Sequence, residues 1–454
     1  MASYHHLMSS GLSARKSGVR QPMPHASKNK TSKDVEQAAP ARADATNRGD
    51  IYADDPQSSQ ATGSEADQTP WDFLASHGGP FYELQRRLKL LHAHALNAGR
   101  RAVFFIAIAW AIPFFLALPG SLSVSDAGAY LRDLGVWATF FVAIGTFVLA
   151  ERQVEDGLRT KLQHFLRAPI IAPVSMQSAA EAVLVALKQR DSGLAEIICV
   201  ALAVVGGLFY CALLHHAPLT SWAVELAPNG SAISLAGWWC VAVSVPLFWF
   251  LMLRGLWRHF VWSQLLRKLA RLELKLVATH PDGQGGLAFI SEYPNAYMMY
   301  IFGVSAPVAV TLGRHFDMET LNAASLTATM AVWLVLVLAL FAYSLSAFWK
   351  PLADLKAATI LALSMQATHY QRLAERKVLG RNVAAHCDER SERKEDIADP
   401  SKHHESAKKL STVLLSRKAV LPVGAAALLP FAIEGATRLP LKDVLSILKK
   451  MLLL

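Results

Sequence analysis

His280 and Asp282 stand two residues apart in Thr279-His-Pro-Asp-Gly-Gln-Gly-Gly-Leu287, and an imidazole beside a carboxylate can share a proton or hold a metal ion. A zinc site uses three or four protein ligands, and this turn offers two. The same residues also read as a connection: Pro281 stops a helix, Asp282 caps a turn, and Gly285-Gly286 lets the backbone reverse. Two further carboxylates, Glu292 and Glu434, lie beside apolar runs. Deep in lipid such groups mark ion paths, whereas at headgroup level they cost little. Both are close enough to the ends of their runs to reach the interface. His215-His216 and His403-His404 read as interfacial or solvated pairs. The chain has no GxSxG, HExxH, Walker-type phosphate loop or dinucleotide-binding glycine pattern, so we assign no catalytic, metal or cofactor residue from sequence.

A second constellation is basic. Trp262, Leu265, Leu266, Leu269, Leu272 and Leu276 recur at helical spacing, with Arg267, Lys268, Arg271 and Lys275 gathered opposite. This pattern predicts an interfacial helix running to Pro281, which anchors the span before it or attracts anionic lipid at about 1 kcal/mol per basic residue. Upstream, Ser178-Ala-Ala-Glu181 fits a capping box, followed by Val183, Leu184 and Leu187 on one apolar face.

The elements that hold these groups are membrane helices. The 454 residues are 53% hydrophobic and 18% charged, with mean hydropathy +0.27; soluble domains carry roughly a quarter charged residues. About 20 apolar residues cross a bilayer as helix, and six runs without Asp, Glu, Lys or Arg meet or approach that length: 102–119, 134–150, 197–214, 232–252, 296–313 and 324–348. A seventh, 419–436, is interrupted by Pro422 and Pro430 and either spans or dips into the interface; an amphipathic tail follows it. The expected fold is all-α and polytopic, with about six spans and amphipathic helices in the loops.

Residues 1–70 contain no apolar run and are expected to be disordered. Residues 1–33 lack Asp and Glu, which admits an organellar transit peptide; the missing apolar core excludes a secretory signal. A juxtamembrane segment, 71–101, leads to the six-span region 102–348, with basic loops at 151–196 and 253–295. A polar helical region, 349–418, precedes the last apolar segment and tail, 419–454. Lys and Arg gather before the first span and after the second, fourth and sixth, while the loops between hold only Arg132, none, and Arg314. That alternation places the N-terminus and the basic loops in the cytoplasm. It also accounts for the net charge of +10 without nucleic acid, so lipid is the expected partner. Cys199, Cys211, Cys240 and Cys387 form no CxxC pair, and neither disulfide nor zinc is inferred.

The His-Pro-Asp tripeptide after a basic stretch is similar to that of J-domain co-chaperones. There it joins two soluble antiparallel helices, whereas here it lies between two apolar spans, so the likeness ends at the tripeptide. A longer resemblance runs from Gly78 to the C-terminus. Gly78-Gly-Pro-Phe-Tyr-Glu-Leu-Gln-Arg-Arg-Leu88, Leu256-Trp-Arg258, Thr279–Leu287 and Leu439-Pro-Leu-Lys442 resemble the motifs of a family of bacterial multipass inner-membrane proteins. The resemblance implies a bacterial inner membrane and no activity. Three functions are then expected in order: a membrane-anchored scaffold or sensor, a small-solute or ion transporter, and a membrane enzyme using His280 and Asp282.

Overall fold

In lipid every backbone polar group must be satisfied within the protein, which leaves helices as the economical way for this composition to cross. The computed structural model describes residues 80–87, 98–118, 125–216, 222–227, 230–316, 323–384 and 398–453. Seven stretches are long and apolar enough to span a membrane: Ala98–Ala117, Leu134–Arg167, Pro173–His215, Leu235–Leu269, Ile290–Arg314, Ala323–Leu379 and Arg417–Ala436. We call them spans 1 to 7; the crossing helix of span 3 is Gly193–His216 and that of span 6 is Ala323–Leu345. Strand among the described residues is a short antiparallel hairpin, Val224–Ala227 with Gly230–Ile233. The fold is therefore all-α and polytopic. Span 3 turns Ile197, Leu208 and Phe209 outward, which suits a hydrocarbon surface and not water. The segment read as a disordered tail, 1–70, lies outside the described residues.

The seventh segment is a continuous helix despite its two prolines. It packs along span 5 and against span 6, so neighbouring helices supply the contacts that proline costs it. Close approach explains several glycines. A Cβ at Gly157 would press on Ala296, and one at Gly255 on the Tyr300 ring.

Spans 1, 2 and 4 each contain a π-helical turn, at Ala107–Ala111, Trp137–Ala143 and Cys240–Ser244. Widening to i→i+5 changes the carbonyl pairing of the ladder. In span 1 three successive carbonyls receive side-chain donors from elsewhere: Trp239 Nε1 to Ile108 O at 3.0 Å, Ser244 Oγ to Ala109 O at 2.8 Å, and Tyr130 Oη to Trp110 O at 2.7 Å.

Two expected helices differ. The basic helix to Pro281 does not form: the helix of span 4 stops at Leu269. Beyond it, Arg271, Glu273, Lys275 and Val277 face outward while Leu272, Leu274 and Leu276 turn inward. Ala172 N–H donates to Glu273 O at 3.0 Å and Lys275 N–H to Ile170 O at 2.7 Å. Arg271-Leu-Glu-Leu-Lys-Leu alternates strictly, which is the period of an extended chain; leucines spaced two apart also match part of a helical pattern, and pairing with 170–172 decides. Trp262, Leu265, Leu266 and Leu269 are fully buried in the bundle, not laid on lipid. Arg267 Nη1 donates to Tyr343 Oη at 2.6 Å with its guanidinium over that ring; Arg267 and Lys268 end span 4, and Arg271 and Lys275 sit on the extended strip.

The helix expected at Ser178 begins earlier, at Met176, and runs to Arg190. Ser178 is thus inside the first turn, and no capping box closes. Ala179, Ala182, Val183 and Ala186 form the buried face, with Leu184 exposed; the small residues permit close packing against span 4.

Candidate functional site

A short helix, Pro80–Arg87, and the ends of spans 1 to 4 meet at the basic end of the bundle. Apolar residues end at Ala150 in span 2, but its helix continues to Arg167, so Glu151 remains enclosed among its neighbours. Glu151 Oε2 accepts from Arg101 Nη2 at 2.5 Å, and its Oε1 from Arg254 Nη1 at 2.6 Å and Arg258 Nη1 at 3.2 Å. Arg254 Nε reaches Glu196 Oε1 of span 3 at 3.3 Å. The lead helix completes the arrangement: Phe81 N–H donates to Glu196 Oε2 at 2.8 Å, and Arg101 Nε donates to Gln85 Oε1 at 2.6 Å. The Phe81 ring lies under the Arg254 guanidinium and against Phe105 and Phe250.

Burial makes this cluster energetically sensitive. Arg101, Arg254, Arg258 and Glu196 are 2%, 4%, 9% and 8% exposed. Desolvating such charges costs several kcal/mol each, and only mutual pairing offsets it. Glu155, one turn beyond Glu151, is also buried. A small, partly open cavity of about 30 Å³ lies beside Glu151, Arg258, Tyr297 and Tyr300, room for a single water; the buried Tyr297 hydroxyl, without a protein partner, borders it. Next to Arg258, His259 Nε2 is 3.2 Å from Ser344 Oγ, and Ser344 pairs with Ser263, joining spans 4 and 6.

The opposite end of the bundle has its own junction. Asp133 caps span 2 by accepting from the Gly135 N–H at 2.8 Å, accepts from Trp222 Nε1 at 3.0 Å, and pairs with Arg314 at the end of span 5.

The residues singled out by sequence lie apart from the cluster. Asp282 Oδ1 accepts from the amides of Gln284 at 2.8 Å and Gly286 at 3.1 Å, and Oδ2 from Ala288 at 3.1 Å, with His280 Nδ1 2.8 Å from Oδ1. Burial alone would raise its pKa; the three amides and His280 outweigh burial and hold the carboxyl below its ordinary value. Gly283, Gly285 and Gly286 have φ of 65°, 69° and 94°, the left-handed region that glycine enters freely. The turn is therefore the connection that its glycines suggested, although Pro281 ends no helix. Glu292, in the 3₁₀ turn that opens span 5, pairs with Lys161 at 3.2 Å. Glu434 is buried over Gly313, and pairs with Arg438 at 3.1 Å.

The chain matches no family model, no curated protein and no solved structure in the three comparisons made. Its chemistry must be read from its own geometry. In the cluster, donors and acceptors are directed at one another, an arrangement that fastens helices together and suits neither nucleophilic attack nor ligation of a metal. Sequence reasoning missed Glu151, Glu155 and Glu196 because each apolar window stopped at the first charge. Arg101, Arg254 and Arg258 belong to the basic groups that flank the apolar runs, and the structure makes them interior counter-charges. The available signal was the Gln85 motif and a Glu beside the end of each of spans 2 and 3.

Proposed function

We propose that this protein is a membrane scaffold or sensor of a bacterial inner membrane, with its N-terminus and basic loops in the cytoplasm. The observation that carries this reading is the clamp of the lead helix on the cluster. Phe81 and Gln85 bond directly to groups on spans 3 and 1, so a partner that engages the N-terminal segment acts on four spans at once. Basic-loop alternation supports the orientation, and the resemblance to bacterial multipass proteins supports the membrane. The helix Trp349–Leu379 offers the surface for a partner: Leu352 alone in it is buried, while Leu361 and Met365 are 65% and 67% exposed.

The test joins two measurements. A photo-crosslinker at Leu361 or Met365 in cells yields a discrete adduct, and changing Phe81 and Gln85 to Ala alters its yield. Purified protein in proteoliposomes gives no more proton or cation flux than empty vesicles. Protein-dependent flux abolished by Glu434→Gln makes the chain a transporter instead; the Glu434–Arg438 pair argues for a fixed carboxylate.

A further inference from the structure

An open groove of about 720 Å³ lies at the basic end between spans 1, 2 and 5, lined by Ala98, Gly99, Arg100, Leu149, Arg152, Gln153, Asp156 and Met299. Its two halves differ in chemistry. Leu149 and Met299 belong to the apolar lengths of spans 2 and 5, whereas Arg152 and Gln153 follow one turn later in span 2. One helical turn is about 5 Å, which is the step from acyl carbon to phosphate at a bilayer surface. Arg100 has no ion-pair partner among the described residues, and Arg152 makes only a loose, exposed pair with Asp156 at 3.8 Å. The floor is open: a Cβ placed on Gly99 would touch nothing within 4 Å.

We propose that this groove binds one acidic phospholipid of the leaflet at the basic end. Its phosphate sits between the guanidinium groups of Arg100 and Arg152, which suit phosphate as planar, weakly hydrated donors. The first acyl carbons rest on Leu149 and Met299. Acidic lipid is favoured over zwitterionic lipid because the two arginines outweigh Asp156, leaving one net positive charge at the groove. Two basic residues near a membrane surface favour anionic lipid by about thirty-fold at about 1 kcal/mol each; with Asp156 opposing and one net charge left, we expect about five-fold. This site is distinct from the extended strip at Arg271 and Lys275, which lines no part of it, and it does not depend on the proposed scaffold role.

The test is native mass spectrometry of the full-length protein in detergent, titrated with phosphatidylglycerol or phosphatidylcholine of the same chains. The wild type is expected to retain one phosphatidylglycerol about five-fold more tightly than phosphatidylcholine. Arg100→Gln with Arg152→Gln removes that preference, and Arg271→Gln with Lys275→Gln keeps it. Gly99→Leu fills the groove while retaining both charges and the helix, and lowers retention even if the arginine variant folds poorly. The proposal is overturned by equal retention of the two lipids, by a preference that survives both the arginine changes and Gly99→Leu, or by inorganic phosphate at millimolar concentration displacing the lipid. The last result would assign the groove to a free anion.

Discussion

Phe81 and Glu196, 115 residues apart in the chain, are joined by a 2.8 Å hydrogen bond from a backbone amide to a buried carboxylate. The contact ties a helix outside the apolar spans to the inner end of span 3, and the same carboxylate also meets Arg254. Glu196→Gln leaves Arg254 partly uncompensated in the interior. We expect a loss of about 3 kcal/mol, seen as a lower thermal midpoint in detergent. Arg86→Gln, which breaks an exposed pair with Glu83, should cost under about 0.5 kcal/mol. Equal effects from the two changes would refute the clamp.

Glu151 serves three arginines, so its neutralisation strands more charge than any single arginine change. Glu151→Gln should destabilise by about 3–5 kcal/mol. Combined with Arg254→Met it should cost less than the sum of the two changes, with a coupling of about 1–3 kcal/mol in a double-mutant cycle. Additive losses would show that the pair is not energetically joined.

The Asp282 turn gives a pH-dependent prediction. Because its folded pKa lies below the ordinary 3.8, ionised Asp282 stabilises the fold above that value, and the contribution fades as pH falls through the lowered value. Asp282→Ala should cost about 2 kcal/mol at pH 7 through three lost amide bonds, and the gap from wild type should shrink below about pH 4. His280→Asn leaves those amides paired and should cost under about 1 kcal/mol. A gap that widens on acidification would contradict this account.

Gly286→Val should reduce folded protein through backbone conformation and not through crowding. A Cβ there meets only His280 Cδ2 at 4.0 Å, so space is available, but φ is +94°. The cost is backbone strain of about 1–3 kcal/mol. Gly286→Asn should fold better than Val, since Asn tolerates positive φ, and fluorescence-detected gel filtration of the two variants compares them directly.

Crossing by all seven candidate spans would put the tail on the side opposite the N-terminal segment. Cysteines at Ser221, Ser123 and Lys442 in a cysteine-free background should react with an impermeant thiol reagent from outside intact cells, whereas those at Ser178 and Ser364 should not. Labelling of Ser178 without Ser221 would invert the orientation; protection of Lys442 alone would mean that Arg417–Ala436 does not cross.

Most of the transmembrane architecture was legible in the apolar runs. Six spans coincide with them because twenty apolar residues in lipid have essentially one solution, a helix that satisfies its own backbone. Two prolines weaken the local signal of the seventh, and only the structure, in which it packs on spans 5 and 6, shows one continuous helix. The basic helix failed where Leu272, Leu274 and Leu276 satisfied two periods at once.

Composition, apolar run length and the distribution of Lys and Arg determined by themselves that this chain is a polytopic helical membrane protein with one basic end, because transfer of apolar side chains and exclusion of charges are local properties of the sequence. Tertiary structure alone decided the fate of those charges. Arg101, Glu151, Glu196 and Arg254 come from four different spans, and the sequence shows that carboxylates stand at helix ends without showing which arginine each one meets. Whether a charge at a helix end meets water or a counter-charge depends on which neighbours close over it, and that is set by packing between segments up to 107 residues apart in this cluster's side-chain pairs. The same packing turned the lead helix from a solvated approach to the membrane into a part of the cluster.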